Sequence, residues 1–192
     1  MKKVLMHVCC APCFITIEKD ITKKGIIIGD KKEQVELTAF WYNPNIHPKI
    51  EYFKRKDSFE IYCKLTNTKN VVIDEYDMNE FVIDVVHLVS EEKEIKTRCE
   101  YCYIKRLEKT FKYASENGYD IVSTTLTRSP YQNHDLIKEV AEKLSKQYNV
   151  EYIYLDYRHT YYDGQKEAKE LELYMQKYCG CTFSIDSGKW GY

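Results

Sequence analysis

Seven of the eight cysteines in this 192-residue chain fall into three tight groups. The first group is Cys9, Cys10 and Cys13, in the run His-Val-Cys-Cys-Ala-Pro-Cys. The second is the Cys99-Glu-Tyr-Cys102 motif, and the third is Cys179-Gly-Cys181. Thiolates are ligands for soft metals, and closely spaced thiols can also carry redox chemistry. The grouping therefore predicts metal or redox chemistry.

The first two groups together offer five thiolates, enough for a site with four cysteine ligands. Both lie where a helix is predicted to begin, and helix N-termini favour thiolates over thiols. All-thiolate sites select zinc or iron–sulfur clusters, and the spacing does not separate the two. The alternative is that these are buried core cysteines, which is our interpretation of the isolated Cys63.

Cys179 and Cys181 are separated only by Gly180, so a disulfide between them would close a small strained ring. Strained disulfides have higher reduction potentials and are the labile, catalytic ones. A redox-active dithiol beside a metal site favours an iron–sulfur cluster over structural zinc. The other interpretation is that Cys179 and Cys181 are two further metal ligands.

Short β-rich runs alternate with amphipathic helical stretches along the whole chain. This alternation predicts a single α/β domain over residues 1–192, with an irregular tail at 179–192. We expect a mainly parallel sheet of about five strands with helices on both faces. The predicted strands are 4–8, 35–41, 71–74, 121–125 and 152–155; the predicted helices are 14–23, 49–65, 79–88, 99–117, 134–148 and 164–178. Residues 24–34 are predicted to form a hairpin or a solvent-exposed loop.

A sheet of this kind places its functional site beyond the carboxyl ends of its strands. Cys9, Cys10 and Cys13 follow the first predicted strand, at the position where many nucleotide-binding proteins carry a glycine-rich loop. Thiolates repel phosphate, so the sequence disfavours a nucleotide there and favours a metal.

The composition excludes several classes of protein. Charges are balanced, with 29 basic and 30 acidic side chains, and 44% of the residues are hydrophobic, which is not typical of a disordered chain. No apolar run approaches the roughly 20 residues of a membrane span, so we expect a cytoplasmic protein without a membrane partner. A disulfide scaffold is disfavoured because such scaffolds serve small secreted domains.

The order of five motifs resembles the QueH family of epoxyqueuosine reductases over nearly the whole chain. The motifs are HVCCAPC (7–13), CEYCY (99–103), SPYQNH (129–134), DYR (156–158) and YCGC (178–181). The resemblance implies reduction of epoxyqueuosine to queuosine in the anticodon loop of a tRNA, the last step of queuosine biosynthesis. It also implies a [4Fe-4S] cluster, and it leaves the electron donor unidentified.

Carried over residue by residue, the resemblance implies that Cys9, Cys10, Cys99 and Cys102 are the cluster ligands and that Cys179 and Cys181 form the redox pair. Cys13 also matches the family pattern and could replace Cys9 as a ligand. The resemblance allows a second iron, with Asp156 or a spare thiolate as its ligand.

Polar residues near the predicted strand ends are candidates for assisting catalysis. Removal of the epoxide oxygen needs a group that stabilises the departing oxyanion or donates a proton. His134, Asp156 and Arg158 are our candidates for that role. The structural alternatives are a helix cap or loop contact for His134, a turn cap for Asp156 and a surface ion pair for Arg158.

A substrate carried on RNA requires a basic and aromatic surface. Lys105 and Lys109 are predicted phosphate contacts, and Tyr131 is a predicted platform for a base. The region holds seven basic residues: Lys93, Lys96, Arg98, Lys105, Arg106, Lys109 and Lys112. The alternative is that they form the solvated face of a helix. The competing function is a zinc-stabilised RNA-binding module without catalysis.

Overall fold

The computed structural model describes residues 1–90 and 97–184. The strands are β1 (Lys2–His7), β2 (Ile26–Ile28), β3 (Lys31–Glu33), β4 (Val35–Trp41), β5 (Asn70–Val72), β6 (Ile121–Thr124) and β7 (Glu151–Tyr152). The helices are α1 (Ala11–Lys24), α2 (Lys49–Thr66), α3 (Met78–Ser90), α4 (Arg98–Glu116), α5 (His134–Tyr148) and α6 (Tyr161–Glu170). Short 3-10 turns cover Thr125–Arg128, Arg158–Thr160 and Thr182–Ser184.

Five strands form one parallel sheet in the order β5-β4-β1-β6-β7. β1 lies in the centre, with β4 on one side and β6 on the other. The small antiparallel pair of β2 and β3 is the hairpin that follows α1. The predicted single α/β domain with a parallel five-stranded sheet is confirmed.

The sheet separates two hydrophobic cores because successive side chains of a strand point to opposite faces. In β1, Val4 and Met6 pack into the core under α1, α2 and α6, together with Phe14 from α1. Leu5 points the other way, into the core that includes Phe111 under α4 and α5. Helices on both faces explain why Val4, Leu5 and Met6 are apolar in succession. Cys63 is buried in the first of these cores, as expected.

The last helix differs from the prediction of residues 164–178. It runs from Tyr161 to Glu170, and Glu172 then takes a left-handed backbone conformation with φ of 55°. Leu173 turns back into the core, so the following residues are free to cross the end of the sheet. Position 164 of this helix is a glycine because a Cβ there would stand 2.5 Å from the Arg128 guanidinium.

Side chains at the carboxyl ends of β1, β4 and β6 connect the loops that follow these strands. His7 Nδ1 lies 2.9 Å from Thr124 Oγ1, and the backbone N–H of Cys9 donates to Thr125 Oγ1 at 2.9 Å. On the other side, Asn43 Nδ2 donates to the Val8 carbonyl at 2.9 Å. These bonds fix the cysteine loop at the point where the strand order reverses, the usual place for a site in such sheets.

No helix in the described ranges 1–90 and 97–184 has the length and apolar character needed to cross a membrane.

Candidate active site

One cavity of about 210 Å³ at the carboxyl end of the sheet is lined by seven cysteines. They are Cys9, Cys10, Cys13, Cys99, Cys102, Cys179 and Cys181. The β1–α1 loop, the start of α4 and the C-terminal segment therefore meet at one place, although they are distant in the chain. The predicted convergence of the cysteine groups is present.

The N-terminal group is compact and mostly buried. The Sγ atoms of Cys9, Cys10 and Cys13 all lie within 4.8 Å of one another. Cys10 precedes the first turn of α1 and Cys13 lies within it, so both are close to the positive end of the helix. Hydrogen bonds from the Cys10 and Cys13 thiols hold the pKa of Cys9 well below its usual value, whereas burial raises the pKa of Cys10. Such a group can hold a metal ion.

The second group sits on the first turn of α4, as the sequence predicted. Thr97 caps this helix by accepting a hydrogen bond from the Glu100 N–H at 3.1 Å. Cys102 is buried, and burial raises the pKa of its thiol to about 11. Cys99 is exposed at the rim, so the two sulfurs reach different depths of the cavity.

A buried guanidinium lies beside the first two cysteine groups. Arg106 is only 4% exposed, and it donates to Cys102 Sγ at 3.7 Å and to Asn43 Oδ1 at 2.6 Å. Its Nε is buried without a hydrogen-bond partner in the part of the chain that the structure describes. Burial, with the Arg106 charge as a second cause, lowers the pKa of His7 to about 3, so that imidazole stays neutral.

The C-terminal dithiol is held by the loop that follows β4 and by α2. The His47 N–H donates to the Gly180 carbonyl at 2.8 Å, and Arg55 donates to the Tyr178 carbonyl at 3.0 Å. The thiol of Cys179 donates to Ser184 Oγ at 2.9 Å. Cys179 and Cys181 are both free thiols in this structure.

Arg55 is buried like Arg106 but has its own counter-charge. Its Nε donates to Glu51 Oε1 at 2.7 Å, and its guanidinium lies 5.0 Å from the centre of the Tyr178 ring. Gln176, just before the dithiol, donates to Cys10 Sγ at 2.8 Å, which ties the C-terminal segment to the N-terminal cysteines.

The three predicted polar catalytic residues lie outside the residues that line the cavity. His134 begins α5 and contacts the Tyr154 hydroxyl at 2.8 Å and the Ser129 carbonyl at 2.9 Å. Asp156 and Arg158 form an exposed ion pair, in which Arg158 Nε donates to Asp156 Oδ1 at 2.9 Å. Arg158 holds the pKa of Asp156 at about 2.

The predicted RNA-contact residues separate into two places. Tyr131 lines the cysteine cavity, with its ring packed edge-on to Tyr161. Lys105 and Lys109 line a second, more open cavity and are paired there with Glu80 at 3.0 Å and Glu75 at 2.7 Å.

The predicted basic surface requires one correction. Arg106 belongs to the cavity and not to a solvated helix face, because it is buried against Cys102. Lys93 and Lys96, which the sequence placed in the same basic region, lie outside the described residues.

Four residues that build the site were not identified from the sequence: Asn43, Arg55, Arg106 and Gln176. For Arg106 a signal was available. It follows Cys102 by four residues on a helix, so the two side chains share one face. Nothing in the local sequence marks Asn43, Arg55 or Gln176, since each reaches the site through long-range packing.

The donor set and the charge of the cavity fit a thiolate-bound metal centre. Cys9, Cys10 and Cys13 are close enough together to hold a metal ion, and Cys99 and Cys102 line the same cavity. The adjacent Arg106 guanidinium has no carboxylate partner among the described residues. Buried charges are normally paired, so Arg106 indicates that an anionic group belongs in the cavity.

Comparison with known proteins gives one consistent result. The family model described as epoxyqueuosine reductase QueH matches residues 4–187. A protein of Dehalococcoides mccartyi with the same name is 32% identical over 182 residues, covering 95% of this chain and 92% of the relative. One from Thermotoga maritima is 33% identical over 192 residues (96% and 91%), and one from Streptococcus pyogenes serotype M1 is 34% identical over 188 residues (94% and 69%).

Proposed function

This chain belongs to the epoxyqueuosine reductase QueH family, and we propose that it reduces epoxyqueuosine in tRNA to queuosine. The observation that carries the proposal is the meeting of seven cysteines and a buried cation in one cavity. An oxidoreductase of this family needs a source of two electrons beside its substrate. The cavity supports this proposal because it holds a set of thiols that could bind a metal and, separately, the Cys179 and Cys181 thiols.

We assign Cys9, Cys10, Cys99 and Cys102 as the residues that would hold a [4Fe-4S] cluster. When bound, such a cluster supplies one-electron transfer. Cys13 is the fifth thiol at the same place and is the candidate to replace Cys9. A second iron remains a prediction; of its candidate ligands, Cys13 lines the cavity and Asp156 does not.

The Cys179 and Cys181 thiols supply the remaining redox chemistry in this proposal. Formation of a disulfide between them releases two electrons and two protons. Conversion of the epoxide to an alkene consumes two electrons and two protons and releases the oxygen as water. An external two-electron donor, which the sequence does not identify, must then reduce the disulfide.

Substrate contacts in the proposal come from both cavities. Tyr131 is the candidate platform for a flipped base, because it is 46% exposed at the mouth of the cysteine cavity. Lys105 and Lys109 are candidate phosphate contacts, and replacing one that touches a phosphate should reduce the salt slope of tRNA binding by about one. For this contact, the ion pairs of these lysines with Glu80 and Glu75 would have to break.

Anaerobic purification with metal analysis and single-turnover assay tests the proposed function. We expect a brown protein with about four irons per chain that converts epoxyqueuosine in tRNA to queuosine. A colourless protein with stoichiometric zinc that binds tRNA without converting it would instead support the zinc-stabilised RNA-binding module. If the protein holds iron but does not convert epoxyqueuosine with dithionite as the reductant, the proposed reaction is wrong and only the proposed cluster is supported.

A further inference from the structure

Arg106 is a buried positive charge that has no carboxylate partner among the described residues. It is 4% exposed, and the acceptors within its reach are the amide oxygen of Asn43 and the sulfur of Cys102. No carboxylate lies within 4.0 Å of its guanidinium in residues 1–90 and 97–184. Taking a guanidinium out of water without an anion costs several kcal/mol, so the fold needs a reason to keep it there.

Cysteine sulfurs are the groups in this cavity that could carry the missing negative charge. Cys102 Sγ accepts from Arg106 at 3.7 Å, and Cys9, Cys10 and Cys13 line the same cavity. A thiol is neutral, whereas a metal-bound cysteine is deprotonated and carries a negative charge.

Two other buried arginines serve as internal comparisons. Arg55 is 3% exposed and is paired with Glu51, itself 7% exposed. Arg128 is fully buried and donates to the backbone carbonyls of Pro12, Thr160 and Tyr161. Only Arg106 of these three contacts a cysteine of the metal-binding groups and keeps a guanidinium N–H without a partner in the described residues.

From these contacts we infer that Arg106 is a positioning residue that provides the fixed counter-charge of the metal-bound thiolates and raises the reduction potential of the metal centre. The inference rests on the proposed function. A fixed positive charge stabilises the reduced, more negative state of a cluster, and cluster potentials depend on net charge and on hydrogen bonds to the sulfurs. Asn43 holds the guanidinium in place and also bonds the Val8 carbonyl, so the charge is fixed relative to the Cys9–Cys13 loop.

The experiment is an EPR-monitored redox titration of the iron-loaded full chain and its variants. Arg106→Gln should make one-electron reduction at least tenfold less favourable, which corresponds to a midpoint about 59 mV lower. Arg106→Lys should restore most of the potential because it retains the charge. Lys143→Gln is the control, since it removes a positive charge from the exposed face of α5.

Asn43→Asp keeps the measurement possible if Arg106→Gln does not hold iron. It places a carboxylate where Asn43 Oδ1 now accepts from Arg106 at 2.6 Å, so the charge is neutralised without removing the arginine. We expect a lower midpoint in this variant as well. Loss of iron in Arg106→Gln together with a normal potential in Arg106→Lys also supports the inference.

The failures are distinguishable. If the wild-type protein holds no iron, the proposed function is wrong and the inference goes with it. In the other case, the wild-type protein holds the cluster, and the equilibrium constant for its one-electron reduction changes less than twofold in Arg106→Gln or Asn43→Asp. That result overturns the inference alone.

Discussion

The two sides of the cysteine cavity differ in how their buried arginines are balanced. On the proposed metal-binding side, Arg106 contacts Cys102 and has no carboxylate partner in the described chain. On the dithiol side, Arg55 is paired with Glu51 at 2.7 Å. The difference matches the chemistry assigned to each side. Metal-bound thiolates are anions and need a cation, whereas a dithiol or a disulfide is neutral and does not.

The two sides also differ in how the chain holds them. The proposed metal-binding cysteines stand at the starts of α1 and α4, which are anchored by the two hydrophobic cores. The dithiol follows the last helix and is held mainly by hydrogen bonds, to His47, Arg55 and Ser184. A redox pair that must meet both a substrate and an external donor benefits from the less firmly anchored position.

The largest effect that separates the two sides is expected for Cys99→Ala. Loss of one proposed ligand from the first turn of α4 should reduce iron from about four per chain to below about one and abolish turnover. Iron analysis and the visible spectrum of anaerobically purified protein measure this.

Cys63→Ala is the matched control for Cys99→Ala. Cys63 is equally a cysteine on a helix, but it is buried in the core under α2 and does not line the cavity. It should keep its iron. Full iron content in Cys99→Ala would remove Cys99 from the ligand set.

Cys181→Ser should separate turnover from metal content. The variant keeps all five thiols of the metal-binding groups, so iron should remain at the wild-type level. Turnover with a physiological donor should fall at least about tenfold, because a disulfide can no longer form. Normal multiple turnover in this variant would reduce the Cys179–Cys181 pair to a structural role, and loss of iron would favour the interpretation of these thiols as metal ligands.

The sequence was sufficient to place the cysteines of the β1–α1 loop and of α4 at one edge of the sheet, and insufficient to predict the path of the segment that carries Cys179 and Cys181. Strand–helix alternation fixes a parallel sheet, and a parallel sheet brings the loop after β1 to the same edge as the start of α4. The path after α6 depends on long-range contacts instead, such as the packing of Leu173 and the docking of Gly180 against His47. Local periodicity cannot predict these contacts, and it extended the helix to residue 178.

The buried arginines escaped prediction for a related reason. Arginine is mostly exposed in proteins, so a basic residue on an amphipathic helix is assigned to solvent by default. Arg106 contradicts that default because it shares a helical face with Cys102. An arginine four residues after a predicted cysteine ligand on a helix therefore indicates that the arginine faces the same site as the ligand.

Gly180→Ala should loosen the dithiol side alone. Gly180 has φ of +107°, and a Cβ there would lie 3.0 Å from Ile46 Cγ1 and 3.1 Å from an Arg55 nitrogen. Such backbone conformations cost about 1–3 kcal/mol for other residues, so the protection of the His47 amide should fall about tenfold. Hydrogen exchange measures this, and the iron content should stay unchanged.

Gly118→Ala is the control for Gly180→Ala. Gly118 also has a positive φ, +67°, but nothing lies within 4 Å of its Cβ position. It should not change His47 protection relative to other core amides. Equal loss of His47 protection in both variants would show that the backbone conformation of Gly180 does not specifically maintain its hydrogen bond with His47.

The smallest effect is expected for Arg158→Gln, at a guanidinium–carboxylate pair of the same type as Arg55 and Glu51 but exposed. Arg158 lowers the pKa of Asp156 from 3.8 to about 2. A lowered pKa in the folded protein stabilises it above the ordinary pKa, and this contribution disappears as the pH falls from about 4 towards 2. Because solvent screens an exposed pair, the melting temperature of Arg158→Gln at pH 7 should change by less than about 2 °C, and the difference should vanish near pH 2.

Turnover of the same variant tests the catalytic role that the sequence assigned to Arg158 and Asp156. If either group acts on the substrate, turnover falls while the melting temperature stays nearly constant, because the exposed pair contributes little to folding. An unchanged rate would restrict both residues to the surface and leave the chemistry to the groups lining the cavity. Either result separates the buried arginines, which contact the cysteine cavity or the C-terminal segment, from an exposed ion pair whose two charges interact only with each other.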